Sequence, residues 1–307
     1  MSAQTLALCG PGGRFGSGVC ALILLFGACA CIRGAEPAPA APGTTLADLV
    51  TALRAKAKAL EGTAGMKTGF HSFTASSGLQ CGAVRFSDYV IARLLFEAAR
   101  DAGFWNLHWE ITNQPPNSDR IWRQWKTVNV VSPAAPTAIA ECDELSALYS
   151  FLALRSGIHG MGLFWPTFNH TVAVWVLSQP GGTVRVVVPT TQIFLDSDDY
   201  FGTKKFDPWR QKTIHEYTRR DVPDSFELPQ PLFAFFLEQT DKYAGASDVT
   251  LQLIRYWRAA VFQGDWTPDF AAREALRALG GRGGIPAEDA AAFRNFALDM
   301  QVGGGRR

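Results

Sequence analysis

A strand hairpin set between two long stretches of helical periodicity is the feature that most narrows the folds open to this chain. Thr171 to Leu177 and Val184 to Val188 read as strands joined through Pro180-Gly181-Gly182, a hairpin signal. Before them, Thr44 to Leu60 opens with hydroxyl residues and repeats Leu46, Leu49, Val50 and Leu53 at helical spacing. Ser87 to Ala102 places Val90, Ile91, Leu94, Leu95 and Ala98 on one face and stops at Gly103, and Cys142 to Arg155 is a third helix, ended by Gly157. After the hairpin, helical pattern returns at 231–238, 249–262, 269–279 and 287–300. Strands and helices do not alternate, so the expected class is α+β with an antiparallel sheet flanked by N- and C-terminal helices. The intervening segments are weaker. Gly- and Ser-rich residues 62–83 read as loop or short strand, and 104–125 as loop with some strand, broken by Pro115-Pro116. Lys126 to Val131 reads as a short strand, Pro133 to Pro136 as a turn, and 195–209 as an acidic loop.

Composition enters where it excludes function classes. Lys+Arg 29 against Asp+Glu 28 leaves a net charge of +1, with no basic stripe for nucleic acid. Apolar residues at 47% are enough for a sizeable core. Four of the six cysteines, Cys9, Cys20, Cys29 and Cys31, fall in the first 31 residues, which leaves Cys81 and Cys142 for the folded body and excludes a disulfide-rich scaffold. Residues 16–32 carry no charge and contain the apolar run Val19 to Phe26; Arg14 precedes them and small residues follow, the pattern of a secretory signal. Phe26-Gly27-Ala28-Cys29 resembles a bacterial lipobox, which implies a membrane tether through lipid on Cys29; plain cleavage after Ala28-Cys29-Ala30 is the other route. The expected organisation is a signal over 1–30, an Ala/Pro-rich tether over 31–43, a cysteine domain over 44–265 and a C-terminal helical extension over 266–307. The expected location is outside the cytoplasm: periplasmic, envelope-tethered or secreted.

Several chemistries lack their motifs. There is no Gly-x-Ser-x-Gly, no His-Glu-x-x-His and no Gly-Lys-Ser/Thr loop. Gly280 to Gly284 joins two helical segments and reads as a connector, and the five histidines have no metal-ligand spacing. Asp196-Ser197-Asp198-Asp199 lacks the spacing of a Ca²⁺ loop. No metal or cofactor is expected.

The stretch that carries chemistry is Ala140-Glu141-Cys142-Asp143-Glu144-Leu145-Ser146, running on to Leu154-Arg155-Ser156-Gly157-Ile158. A Cys in the first helical turn meets backbone N–H groups and the positive end of the dipole, which favour thiolate. Asn169-His170 then opens a strand, where an imidazole is placed to take the thiol proton. These modules, over roughly residues 120–210, resemble the transglutaminase-like superfamily, a papain-type cysteine fold. The resemblance implies a nucleophile helix packed on an antiparallel sheet, Cys142 as nucleophile, His170 as base, and a carboxylate that orients the ring. At that third position the second strand reads Val186-Val187-Val188-Pro189-Thr190-Thr191, with Val188 where the family has Asp. Thr190, Thr191 or Gln192 is one source of the missing acceptor, Asp207 in Phe206-Asp207-Pro208-Trp209 another, and a broken triad the third reading. Cys142's own N–H is a candidate oxyanion donor, with Gln124 or Trp125 as a second.

The resulting expectation is an exported cysteine hydrolase acting on an amide or isopeptide bond of a peptide or protein. Its alternative is an inactive relative serving as a binding or scaffold module of the envelope. Burial of Cys142 as a small apolar residue, or a Cys81–Cys142 disulfide, are the plainer readings of the thiol.

Overall fold

The computed structural model describes residues 43–100, 103–110, 119–133, 135–167, 170–191, 215–216, 222–243, 246–262, 264, 266–281 and 283–304. The expected signal, the tether up to residue 42, Cys29, Asn169, Gln192, the 195–209 loop and Asp207 lie outside these residues.

Helix α1 (Leu46–Leu60) begins where Thr45 and Asp48 form a capping box, and it buries Leu46, Leu49, Val50, Leu53, Ala57 and Leu60 along one stripe. Just before it, β1 (Thr44–Thr45) will pair with a short strand much later in the chain. The next segment corrects the reading of 62–83 as loop or strand: Ala64–Ser77 is a helix, α2. Thr63 caps its start and Gly78, at φ +65°, ends it in the left-handed region. Its Gly and Ser content depresses helix propensity, and tertiary packing overrides that. Phe73 stacks on Trp175 at 6.4 Å and Phe70 lies 5.4 Å from Tyr89.

Helix α3 (Phe86–Ala99) is buried almost all round and packs against α1. The 104–125 segment then holds β2 (Leu107–Trp109) and a short helix, α4 (Arg120–Trp125). Lys126 to Val131 is not a strand; the strand comes after the turn, as β3 (Ala138–Ala140), parallel to β2. Helix α5 (Cys142–Arg155) has the bounds its sequence pattern predicts.

A four-stranded sheet follows, ordered β6-β5-β4-β7, from β4 (Met161–Thr167), β5 (His170–Gln179), β6 (Gly182–Val188) and β7 (His215–Glu216). The hairpin β5–β6 is antiparallel, with register from Gln179↔Gly182 to Ala173↔Val188. Alternation along β5 divides its side chains between two faces. Ala173, Trp175 and Leu177, with Val186 and Val188, enter the main core against α5. Val172 and Val174, with Val187 and Phe164, form a smaller cluster on the other face. Gly160 precedes β4 at φ +81°, where a Cβ would stand 2.4 Å from the Val176 carbonyl; a side chain there would push β4 off β5.

β8 (Glu227–Leu228) closes on β1, and the chain ends in α6 (Gln230–Tyr243), α7 (Asp248–Phe262), α8 (Pro268–Gly280) and α9 (Ala287–Gly304). Their periodicity is legible in sequence, and Trp257, Phe293, Phe296 and Met300 join the same core as α1 and α3. The architecture is thus α+β. No helix among the described residues is long and apolar enough to cross a membrane.

Candidate active site

Cys142 is the first residue of α5. Glu141 before it is extended, and the Glu144 carboxylate accepts the Glu141 backbone N–H at 2.5 Å, so the helix starts at the cysteine. The sulfur is partly exposed. The backbone N–H groups of Thr171, the neighbour of His170, and of Asp143 act on it in the direction that favours thiolate. One turn along the helix, Ser146 Oγ donates to the Thr171 carbonyl at 3.2 Å and lies 2.8 Å from Thr190 Oγ1. These contacts stitch the start of α5 to the open ends of β5 and β6.

The electrostatics differ from the sequence expectation of a stabilised thiolate. Burial pushes the Cys142 thiol above its ordinary value, and the Asp143 and Glu141 carboxylates add to that, against the two backbone N–H groups. The helix dipole is real, but the first turn carries acids of its own. Glu141, Asp143 and Glu144 hold their oxygens within 4.8 Å of one another. Such a set suits a hard cation in donor type, yet a Glu144 oxygen is already committed to the cap. Burial, with repulsion from Asp143, raises the Glu144 carboxyl to about 7. A raised carboxyl pKa means the folded chain keeps a proton that the unfolded chain loses near 4.5. This group therefore subtracts stability as pH rises from about 4.5 to about 7.

His170 is the first residue of β5 and is buried, and burial lowers its imidazole to about 4, so the ring is neutral at physiological pH. Alternation from Val172 assigns it to the sheet face opposite α5. The imidazole is not among the groups that set the Cys142 pKa. The structure thus brings the thiol to the backbone beside His170 without joining sulfur to ring.

The third position also moves. Val188 pairs with Ala173 and lies in the main core, out of phase with His170. Continuing the β5–β6 register three residues beyond Ala173↔Val188 sets His170 across from Thr191. Thr191 is buried, and its hydroxyl makes no hydrogen bond to the described residues. Thr190, by contrast, is engaged with Ser146. Asp207 and Gln192 lie outside the described residues.

Neither expected second oxyanion donor holds. Gln124 Nε2 donates to the Arg120 and Ile139 carbonyls at 3.1 and 3.0 Å, and its Oε1 accepts the Ile139 N–H at 3.0 Å, so the side chain fastens β3 to α4. Trp125 is fully enclosed, with Trp122 at 5.2 Å and Phe236 at 5.0 Å. The aromatic run is core here, not groove. Cys81 is exposed, and Cys81 and Cys142 are both free thiols rather than a bridge.

Sequence reading missed the role of Ser146, because short hydroxyl residues carry no distinctive spacing, and it offered Thr190 as an acceptor for the imidazole where the structure engages Thr190 with Ser146. The one usable signal was the Glu-Cys-Asp-Glu run, whose cap pairing marks the helix start. No family model, no curated protein and no solved structure matches this chain.

Proposed function

We propose that this chain is an exported cysteine hydrolase of transglutaminase-like architecture, acting on an amide or isopeptide bond in a peptide or protein. The observation that carries the reading is the partly exposed Cys142 at the start of a long helix, which Ser146 fastens to the Thr171 carbonyl next to His170 at 3.2 Å. The pair rests as thiol and neutral imidazole, the combination that general-base attack requires. The mechanism requires the ring, at the open end of β5, to come round the strand end into hydrogen-bond reach of the sulfur in the substrate complex. The Cys142 S–H proton passes to the imidazole while sulfur bonds to the carbonyl carbon. The imidazolium then protonates the leaving nitrogen as the C–N bond breaks. Water, giving its proton to the ring, attacks the thioester, and the thiolate leaves and is reprotonated. The backbone N–H of Cys142 faces the developing oxyanion. Thr191, buried just beyond β6 with no hydrogen bond to its hydroxyl among the described residues, and Gln192 or Asp207 beyond it are the candidates for the group that orients the ring.

Export rests on the apolar, small-residue N-terminal segment, and a lipid on Cys29 would hold the chain at a membrane surface through the Ala/Pro tether. A specific observation favours a second reading, an inactive scaffold: burial and the neighbouring carboxylates oppose the thiolate. Amine release from a panel of peptide amides and ε-lysyl isopeptides distinguishes the two. Wild type is expected to release amine and Cys142→Ser to fall at least ~10³-fold, the scale on which loss of a nucleophile is felt. Equal release by both proteins, or none by wild type, supports the scaffold.

A further inference from the structure

A cavity of about 290 Å³ opens between the end of α1, α2, α3 and the start of α7. No residue of α5 lines it, so it is separate from the Cys142 site. Leu60, Met66, Leu94, Phe104 and Leu251 give it apolar walls. Its polar side comes from Tyr89, Arg93 and Glu97, four residues apart on one face of α3, and from Ser247-Asp248 at the start of α7.

The charges there are unequal in kind. Glu97 is 5% exposed; Arg255 reaches both its oxygens at 3.3 and 3.1 Å, and Arg93 Nε donates to it at 3.1 Å. Burial alone would raise the Glu97 carboxyl, but Arg255, Arg93 and Arg100 outweigh it and hold it ionised. This carboxylate belongs to the frame. Arg93, with a side chain 16% exposed, turns Nη2 to Asp248 Oδ1 at 2.7 Å, and the Asp248 side chain is 68% exposed. The Asp248 end of that contact lies at the surface, where water competes for the carboxylate and makes it exchangeable. A carboxylate arriving inside the cavity meets the same guanidinium away from water and beside the N-terminus of α7, where anions are favoured. A cation would meet Arg93 opposing it, with the Glu97 carboxylate already taken by Arg93 and Arg255.

Two glycines of α2 line the space, and Gly69 leaves room for the Tyr89 hydroxyl. A Cβ on Gly69 would stand 2.6 Å from the Tyr89 hydroxyl, whereas a Cβ on Gly65 would meet nothing within 4 Å. The volume equals that of roughly ten waters at ~30 Å³ each, which sets the ligand at about ten non-hydrogen atoms. We propose that this cavity binds a small apolar monocarboxylate, its carboxylate replacing Asp248 on Arg93 and its body lying against Met66, Leu94 and Leu251. The site does not depend on the chemistry at Cys142.

Titration calorimetry on the full chain tests it, with octanoate and phenylacetate as probes and 1-octanol and 2-phenylethanol as neutral controls. Each carboxylate is expected to bind at least tenfold more tightly than its alcohol. Gly65→Leu adds a side chain at the cavity wall with no clash at its Cβ and should abolish carboxylate binding while leaving the melting temperature unchanged or higher. Asp248→Asn removes the competing anion and should tighten binding several-fold. Equal binding of acid and alcohol, no binding of either acid, binding that survives Gly65→Leu, or weaker binding in Asp248→Asn each overturns the proposal.

Discussion

His170→Asn should lower turnover of any amide the wild type cleaves by about 10²–10⁴-fold, the usual contribution of a positioned general base. The accompanying pH profile is more diagnostic than the loss itself. Burial holds the imidazole near 4, so the base form persists well below the ordinary histidine range. Activity of the wild type should stay flat from neutrality to about pH 5 and fall as pH drops through about 4. A limb near 6.5 would mean a solvated imidazole and a different geometry. The same shift has a stability sign. Between about 6.5 and 4 the unfolded chain binds a proton that the folded chain excludes, so His170 withdraws stability as pH falls through that window. Glu144 has the opposite sign over about 4.5 to 7. The two partly cancel in the wild type, and His170→Asn should leave the Glu144 slope exposed: a chain that becomes more stable as acid is added, until other carboxylates protonate. Urea midpoints at pH 5 and 7 measure it.

Glu97→Ala is expected to cost about 3–5 kcal/mol, the range for breaking a buried ion pair from one side. Glu97 is the carboxylate that Arg93 and Arg255 share in the interior between α3 and α7. Without it, two guanidiniums with side chains only 16% and 15% exposed lose their common partner. Asp248→Ala, which removes the exposed partner of the same Arg93, should cost no more than about 1 kcal/mol. Urea unfolding of both variants gives the comparison, with an unchanged slope against denaturant showing that the midpoint reports stability. Similar losses in the two would mean that Glu97 is less essential to the frame than its burial implies.

Where local chemistry and long-range packing agree, sequence reading and structure coincide. Helix α5 carries its own start, in Glu141 and Glu144, and its own stop, in Gly157, so its bounds are legible from residues a turn apart. The β5–β6 hairpin is likewise announced by β-branched strands around a Pro-Gly-Gly turn, and the C-terminal helices by their apolar stripes. Helix α2 was not legible because its Gly and Ser residues argue locally for loop. What makes it helical is Phe70 and Phe73 finding Tyr89 and Trp175, one of them about a hundred residues away. The site divides in the same manner. Cys142 and the neighbourhood of His170 follow from element boundaries. The phase of Val188 against His170 does not, because it depends on a hairpin register that no single strand contains, and a one-residue difference exchanges the sheet faces. The raised thiol pKa was hidden for a related reason: a helix start predicts a helpful dipole, and only the folded arrangement shows how much burial and the adjacent acids oppose it.

The most direct test of the central claim is to trap the acyl-enzyme. Wild type and His170→Asn, incubated with p-nitrophenyl acetate at pH 7, are quenched in acid and mapped by peptide mass spectrometry. The exposed thiol of Cys81 serves as an internal reference for intrinsic reactivity. The expected result is acetyl on Cys142 in wild type, formed faster than on Cys81 despite the raised thiol pKa, and lost at Cys142 but not at Cys81 in His170→Asn. Acetylation of Cys142 no faster than that of Cys81, or unaffected by His170→Asn, would contradict a Cys142–His170 catalytic pair.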